Sequence, residues 1–407
     1  MSQHPRKVSF PGSLGGTLDA RLDLPAGPPL AYALFAHCFT CSKDVVAATR
    51  IAAELTNHGI GVLRFDFTGL GSSEGDFSNT DFSSNLADLR QAAQWLGEHA
   101  SAPQLLIGHS LGGAAAIAVA NSIPEVTAVV TIGAPADTHH VTQLFAPHTA
   151  TIEREGCAVV ELAGRSFSIR RELLDDLTSH SIEQRASELR AALLVMHSPI
   201  DNLVGIENAA RLYGAAKHPK SFLSLDGADH LLTSRADAEF AAMMIATWSR
   251  RYITDQRQAH PAPLATAPVV VAETGLGTFL NHVVAGEHRL LVDEPVSVGG
   301  FDAGPAPYDL LAAALGACTS MTLRLYADRK GLDLNRVAVE VEHGKVHADD
   351  CAGCVEGKGP LVDQFKRTIT LDGNLDEAQR DALLRIADRC PVHRTLESTV
   401  HITTALA

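Results

Sequence analysis

The sequence predicts an α/β domain built on a doubly wound, mostly parallel sheet, followed by a smaller α+β domain. Three observations support this prediction. Short apolar runs typical of buried strands alternate with helical patterns through residues 1–255. A stretch rich in proline and alanine, 256–268, then interrupts the pattern and is interpreted as a linker. In residues 269–407 strands and helices occur in groups, which favours an α+β fold.

The elements of the first domain follow from its apolar periodicity. We expect strands at 7–10, 18–24, 31–36, 61–65, 105–107, 126–132, 192–196 and 221–225. We expect helices to begin near 44 and to cover 82–95, 114–120, 204–213 and 236–252. The segment from about 138 to 190 breaks this alternation, and we interpret it as a small cap over the functional site.

The composition excludes several classes of function. The chain of 407 residues carries a formal charge of −14, which argues against a nucleic-acid partner and against an anionic membrane. No uninterrupted apolar run is long enough to span a membrane, and the first residues do not resemble a signal peptide. The seven cysteines are an odd number in a long chain, unlike a secreted disulfide framework. These features predict a cytoplasmic protein.

The stretch 105–113, Leu-Leu-Ile-Gly-His-Ser-Leu-Gly-Gly, predicts a strand, a sharp turn and a helix with Ser110 at the apex. Gly108 and Gly112 stand where side chains would collide in such a turn. The N-terminus of the helix favours negative charge beside the serine. This pattern is a nucleophile elbow, and from it outward the sequence resembles the α/β-hydrolase family.

A serine hydroxyl needs a base to become a nucleophile, and the base needs an orienting carboxylate. The resemblance implies the chain order serine, acid, histidine. Asp201 follows the predicted strand 192–196, and His230 lies in the loop after the next predicted strand. We therefore expect Ser110, Asp201 and His230 to form a catalytic triad.

The negative charge of a tetrahedral intermediate must be held by backbone N–H groups. The resemblance implies that Leu111, just after the nucleophile, and Phe39, after the third strand, supply them. The family usually has His-Gly before this second position, whereas this chain has His37-Cys38. Because Cys38 and Cys41 form a Cys-x-x-Cys pattern between a strand and a helix, a redox pair is an alternative interpretation.

Two cysteine motifs mark the second domain. Cys318 lies in the predicted helix 308–330, which is apolar almost all round and should be buried, and Cys390 lies in Arg-Cys-Pro-Val-His at a helix-to-turn junction. From about residue 275 onward the chain resembles the OsmC/Ohr family of dimeric thiol peroxidases. With the hydrolase ahead of it, the whole chain resembles the bifunctional α/β-hydrolase/OsmC family. The resemblance implies a peroxidatic Cys318, a resolving Cys390 and a homodimer formed through this domain.

The second domain departs from the peroxidase pattern at one position. Tyr308 stands where those enzymes place a glutamate, and Asp309 follows one residue later. The arginine that activates the thiol is not identified by the motif, and the candidates are Arg289, Arg324 and Arg394. A buried thiol without a nearby cation is inert, so two packed cysteines without turnover are the alternative.

A further cluster in this domain has zinc-ligand residue types: His343, His347, Cys351 and Cys354. No other Cys-x-x-Cys lies in the second domain to complete such a site, so we expect a reduced surface loop and no metal or cofactor, with tetrahedral zinc as the alternative.

The function predicted from the sequence has two parts. The first domain is expected to be a serine hydrolase that acts through an acyl-enzyme on a small ester, thioester or related acyl substrate. The second is expected to be an OsmC-like thiol domain that reduces organic hydroperoxides with a thiol reductant. The alternatives are a perhydrolase or acyltransferase in the first domain, and a non-catalytic dimerisation or binding module in the second.

Overall fold

The computed structural model describes residues 5–38, 41–137, 142, 146–162, 165–255, 257, 260–347 and 361–406. The chain divides into two compact units, residues 1–258 and 259–407.

The first unit is built on one eight-stranded sheet. Its strands in spatial order are β1 (Arg6–Pro11), β2 (Thr17–Asp23), β4 (Ile60–Phe65), β3 (Ala31–Ala36), β5 (Leu105–His109), β6 (Ala128–Ile132), β9 (Ala192–His197) and β10 (Lys220–Ser224). β2 is antiparallel to both of its neighbours, and every other neighbouring pair is parallel. The predicted α/β class with a mostly parallel sheet is confirmed.

Helices cover both faces of this sheet, which explains why its central strands are apolar throughout. One face packs against α1 (Val46–Asn57) and α8 (Arg235–Ser249), through residues such as Ile51 and Ile245. The other face packs against α2 (Phe82–His99), α3 (Leu111–Ala120) and α7 (Glu207–Ala215). Every residue of β5 and β6 is buried between the two layers.

Between β6 and β9 the chain forms a small group of elements. These are α4 (Thr149–Glu155), β7 (Cys157–Leu162), β8 (Arg165–Arg170), α5 (Arg171–Ser179) and α6 (Ile182–Glu188). β7 and β8 form an antiparallel hairpin in which Val160 pairs with Phe167. Both residues are buried in the same hydrophobic cluster as α2 and α3, so the hairpin packs on the core of the first unit.

The second unit groups its strands and helices, as the α+β prediction requires. Its elements are β11 (Val269–Glu273), β12 (Asn281–Ala285), β13 (His288–Val292), α9 (Pro307–Lys330), β14 (Leu334–His347), β15 (Leu361–Gly373), α10 (Glu377–Ala387) and α11 (Pro391–Glu397). β11, β12 and β13 form one antiparallel sheet, and β14 pairs with β15 in a long antiparallel ribbon.

The long helix α9 is less buried than its composition predicts. One face packs into the unit through Leu315, Thr319, Leu323 and Ala327, whose spacing of four residues keeps them on one side. Other apolar side chains of α9 are exposed in the single chain, and Met321 is 66% exposed. The expectation of a fully buried helix is therefore wrong for one copy of the chain. By length and composition alone, α9 is also the one described helix that could cross a membrane.

Candidate active site

Ser110 lies between β5 and α3, where the strand ends and the helix begins. Its φ of 55° and ψ of −124° are uncommon for a residue with a side chain. A Cβ on Gly108 would overlap the backbone of Gly112, and a Cβ on Gly112 would overlap the carbonyl oxygen of Ala36. The two glycines therefore let strand and helix approach closely enough to hold this strained turn.

Asp201 and His230 meet at the same edge of the sheet, because β5, β9 and β10 are parallel and each residue follows one of them. His230 Nδ1 lies 2.7 Å from Asp201 Oδ2. The backbone amides of Leu203 and Val204 donate to the other carboxylate oxygen, each at 2.9 Å. Burial raises the pKa of the Asp201 carboxyl, but the hydrogen bonds from His230 and Val204 outweigh it and hold the pKa below its ordinary value.

His109 connects the serine to the loop that carries His230. Its Nε2–H donates to the His230 carbonyl oxygen at 2.6 Å, and the two rings lie 5.1 Å apart. Burial, with a smaller contribution from His230, lowers the pKa of His109 to about 4, so its imidazole is neutral near pH 7. Among the described residues no hydrogen bond joins the Ser110 hydroxyl to His230, a contact that often tightens only when substrate is bound.

The acid loop has its own buried support. His197, fully buried at the end of β9, donates from Nε2 to the Val204 carbonyl oxygen at 2.7 Å. This bond closes the loop that carries Asp201. His109 and His197 were not predicted from the sequence as functional residues, although each directly precedes a predicted turn at the sheet edge.

One of the two predicted oxyanion donors can be described. Leu111 is the first residue of α3, so its N–H is one of the amides that have no acceptor within the helix. The other predicted donor, Phe39, lies outside the described residues. Before it, the Cys38 carbonyl oxygen accepts from Cys41 N at 3.2 Å and from His37 Nδ1 at 2.8 Å. A disulfide joins Cys38 to Cys41 across this turn, so the two cysteines are paired as the redox interpretation requires.

A small cavity lies beside the elbow, between the Cys38 turn and the N-terminus of α3. Its lining is mainly apolar. The lining includes His37, Cys38, Phe67, Leu70, Leu111 and Ala115.

A buried ion-pair network follows the turn. The Lys43 ammonium lies 2.6 Å from Asp66 and 2.7 Å from Asp19, and the Lys43 amide donates to Asp66 at 2.6 Å. Lys43 and Asp66 are both almost completely buried. Because removing one partner would leave an unpaired buried charge, this network fixes the chain just beyond Cys41.

In the second unit, Cys318 and Cys390 are both free thiols. Cys390 is fully buried, and its Sγ accepts from His393 N at 3.3 Å. Thr319, which follows Cys318 in α9, places its Oγ1 3.6 Å from Cys390 Sγ. The structure therefore brings the neighbourhoods of the two predicted cysteines together, with Cys318 half-buried.

Arg367, which was not predicted from the sequence as a functional residue, lies close to Cys390. Arg367 donates to Thr319 Oγ1 at 2.9 Å, and its other nitrogen contacts Asp388 at 2.8 Å and His393 Nδ1 at 2.9 Å. Arg367 lies on the same face of β15 as Phe365 and other apolar residues. A charged residue in this apolar alternation was the sequence signal that could have identified it.

The three predicted arginine candidates are placed differently. Arg324 donates instead to the carbonyl oxygens of Leu334 and Asn335. Within the described residues, no hydrogen bond or ion pair joins Arg289 or Arg394 to either cysteine.

The possible zinc ligands are only partly described. His343 lies 3.0 Å from Asp363 and stacks on Tyr308 with ring centres 4.1 Å apart. Cys351 and Cys354 lie outside the described residues, as does the side chain of His347. In the part of the chain that is described, no group of three or more His, Cys, Asp or Glu side chains could hold a metal ion.

The sheet order, the elbow and the Asp–His pair define the first unit as an α/β-hydrolase. A family model described as serine aminopeptidase, S33, matches residues 29–156, and one described as OsmC-like protein matches residues 300–405. The chain therefore combines an α/β-hydrolase domain with an OsmC-like domain.

Solved structures resemble the first unit. The esterase domain of a Rhodothermus marinus protein is 47% identical, with a TM-score of 0.52, over 62% of this chain and all of that domain. The α/β-hydrolase GrgF from Penicillium is 20% identical, with a TM-score of 0.51, over 62% of this chain and 99% of its own, and shows the fold alone. Two Mycobacterium tuberculosis proteins, described as uncharacterized, are 30% identical over 196 residues. The match spans 47% of this chain and 61% of each relative's length.

Proposed function

We propose that the first unit is a serine hydrolase that cleaves a small ester, thioester or related acyl substrate through an acyl-enzyme. The observation that carries this proposal is the 2.7 Å hydrogen bond between Asp201 and His230, at the sheet edge where Ser110 adopts its strained conformation. The 47% identity to a domain described as an esterase supports the substrate class.

In the proposed reaction, His230 takes the Ser110 proton while the hydroxyl attacks the acyl carbon. The Asp201 carboxylate stabilises the imidazolium that forms. The Leu111 amide and, by resemblance, the Phe39 amide hold the charge that develops on the acyl oxygen. His230 then returns the proton to the departing alcohol or thiol, and water releases the acyl group by the same steps in reverse.

The nucleophile can be tested directly. We expect Ser110→Ala to lower hydrolysis of small chromogenic esters by at least about a thousandfold and to abolish fluorophosphonate labelling, because no other group replaces the hydroxyl. Ser122→Ala, beyond the other end of α3, is the matched control and should keep activity and labelling. Labelling of Ser110→Ala at the wild-type rate would contradict the proposal.

The same triad could transfer the acyl group to another acceptor. Partitioning of the acyl-enzyme among water, hydrogen peroxide and small alcohols distinguishes the perhydrolase and acyltransferase alternatives. Preferential capture by water supports the hydrolase assignment.

We further propose that the second unit is a thiol peroxidase for organic hydroperoxides, acting as a homodimer. The contact of Thr319 with Cys390, and the Arg367 guanidinium on the same hydroxyl, support this proposal. In the reaction, the Cys318 thiolate attacks the terminal oxygen of the hydroperoxide, the oxygen–oxygen bond breaks, and the leaving alkoxide takes a proton from water to become an alcohol. Cys390 then attacks the sulfur of the sulfenic acid, which releases water and forms a Cys318–Cys390 disulfide. A thiol reductant reduces this disulfide and restores both thiols.

Mass spectrometry after sub-stoichiometric cumene hydroperoxide tests this proposal. We expect a linked Cys318–Cys390 peptide that is absent from Cys318→Ser and unchanged in Cys157→Ser, an exposed cysteine of the first unit. If both cysteines stay reduced, the second unit is better described as a dimerisation or binding module.

A further inference from the structure

The turn from Cys38 to Cys41 is constrained in three ways. The disulfide joins its ends, whose Cα atoms lie 5.3 Å apart. The Cys41 amide donates to the Cys38 carbonyl oxygen, which gives the turn its i to i+3 hydrogen bond. His37 donates to the same carbonyl oxygen from Nδ1. These contacts fix the orientation of the Cys38 carbonyl group.

Buried groups hold the chain on both sides of this turn. His37 is 1% exposed and accepts from the Phe67 amide through Nε2, and burial lowers its pKa, which keeps the ring neutral. On the other side, Lys43 is fixed by its bonds to Asp66. Opening the disulfide would therefore change the turn itself and leave its flanks in place.

The turn also borders the elbow. Gly112 packs so closely on the backbone of Ala36 and His37 that a Cβ there would overlap both carbonyl oxygens. Cys38 and Leu111 line the same cavity. The disulfide is thus adjacent to the place where the substrate's acyl oxygen must sit in the proposed reaction.

We propose that Cys38–Cys41 is a redox-active site of the hydrolase, opened by dithiol reductants, and that its closed form holds the Cys38 backbone beside the elbow in the arrangement that favours transition-state stabilisation. The second part of this inference rests on the proposed hydrolase function. In the predicted cytoplasmic location a disulfide would be transient or redox-sensing, which agrees with such a role.

The exchange consumes one dithiol. A thiolate of the reductant attacks the Cys41 sulfur, because Cys41 is half-buried whereas Cys38 is only 5% exposed. The sulfur–sulfur bond breaks and Cys38 leaves as a thiolate, which takes a proton from water. The second thiol of the reductant then displaces Cys41 from the mixed disulfide. The reductant ends as a cyclic disulfide, and the enzyme has gained two electrons and two protons.

The test compares the oxidised enzyme with enzyme treated with dithiothreitol, using an oxygen-ester substrate that does not react with thiols. Mass spectrometry counts the thiols on the peptide that carries Cys38 and Cys41. We expect reduction to lower kcat roughly tenfold, less than the 10²–10³ that follows loss of an oxyanion donor, while KM changes less than twofold. Reoxidation should restore kcat.

Variants separate this site from the other cysteines. Cys41→Ser should show the reduced kcat and no response to dithiothreitol, whereas Cys157→Ser should respond like wild type. The inference is overturned if the bond opens and kcat changes less than twofold, if dithiothreitol cannot open it in the native enzyme, or if Cys41→Ser keeps the oxidised kcat.

Failure of the hydrolase proposal gives a different result. In that case the oxidised enzyme hydrolyses no ester and Ser110 takes no fluorophosphonate label, and thiol counting alone decides whether the disulfide is redox-active.

Discussion

The histidine before the nucleophile makes the first unit sensitive to acid. The pKa of His109 is about 4 in the folded state, against 6.5 for an unperturbed histidine. Between these pH values the unfolded chain binds the proton and the folded chain does not, so stability rises with pH across the window. Stability is therefore lost as the pH falls from 6.5 to 4, by about 3 kcal/mol at most. We expect His109→Asn, whose amide can donate the same hydrogen bond, to remove this loss.

Urea unfolding followed by tryptophan fluorescence measures the effect, because Trp95 and Trp248 both lie in the first unit. We expect lowering the pH from 7.5 to 5 to cost wild type about 2 kcal/mol more than His109→Asn. His218→Asn, at an exposed position of the first unit, is the control and should behave like wild type. Equal pH dependence of wild type and His109→Asn would refute the assignment.

At the scale of elements, the contact between α3 and the end of β3 decides the geometry of the elbow. A Cβ at position 112 would overlap backbone carbonyl oxygens, which cannot move without displacing a central strand. We expect Gly112→Ala to lower the free energy of unfolding by about 1–3 kcal/mol. Because Ser110 would shift with the helix, activity should fall about a hundredfold or more.

Gly97 in α2 offers a matched control, since the nearest atom to a Cβ there would be 3.7 Å away. We expect Gly97→Ala to be neutral or stabilising by up to ~1 kcal/mol and to keep full activity. Chemical denaturation and ester hydrolysis measure both variants. If Gly112→Ala kept the stability and activity of wild type, the prediction would be wrong, because α3 could then move away from β3 without loss of folding free energy or catalysis.

The sequence predicted features that depend on local backbone requirements. Gly108 and Gly112 identify the elbow because any side chain at either position collides, and buried parallel strands are recognisable as apolar runs. Arg367 escaped prediction because its partner Thr319 lies 48 residues away in the chain, and only tertiary packing brings them together. The exposure of apolar side chains on α9 was not predicted for another reason. Apolar composition predicts that a helix is covered, but it does not tell whether its own chain or a second molecule covers it.

At the scale of the whole molecule, the uncovered face of α9 predicts self-association. Met321 is 66% exposed and Leu325 is 58% exposed on this helix, and monomeric proteins rarely leave such a surface uncovered. A second copy of the chain is the partner that the OsmC resemblance implies. We expect analytical ultracentrifugation to give twice the chain mass of 43.1 kDa at micromolar concentration.

Introducing charge on this face should dissociate the dimer. We expect the double variant Met321→Lys/Leu325→Lys to sediment as a monomer, because pairing would bury four unpartnered ammonium groups. Val159→Lys, at a 64% exposed position of the first unit, is the control and should remain dimeric. A wild-type monomer, or a dimer that survives the double substitution, would exclude α9 as the interface.

The cytoplasmic location of the protein stays a prediction.

The strained conformation of Ser110 has a consequence for local unfolding. A φ of 55° at a residue with a side chain stores about 1–3 kcal/mol, which the intact strand and helix on either side must hold. Fraying of the first turn of α3 would release that energy, so opening there should cost less than opening of the sheet beneath it. Amides at the start of α3 should therefore exchange with deuterium before those of β5, and mild denaturant should abolish catalysis while the sheet is still folded.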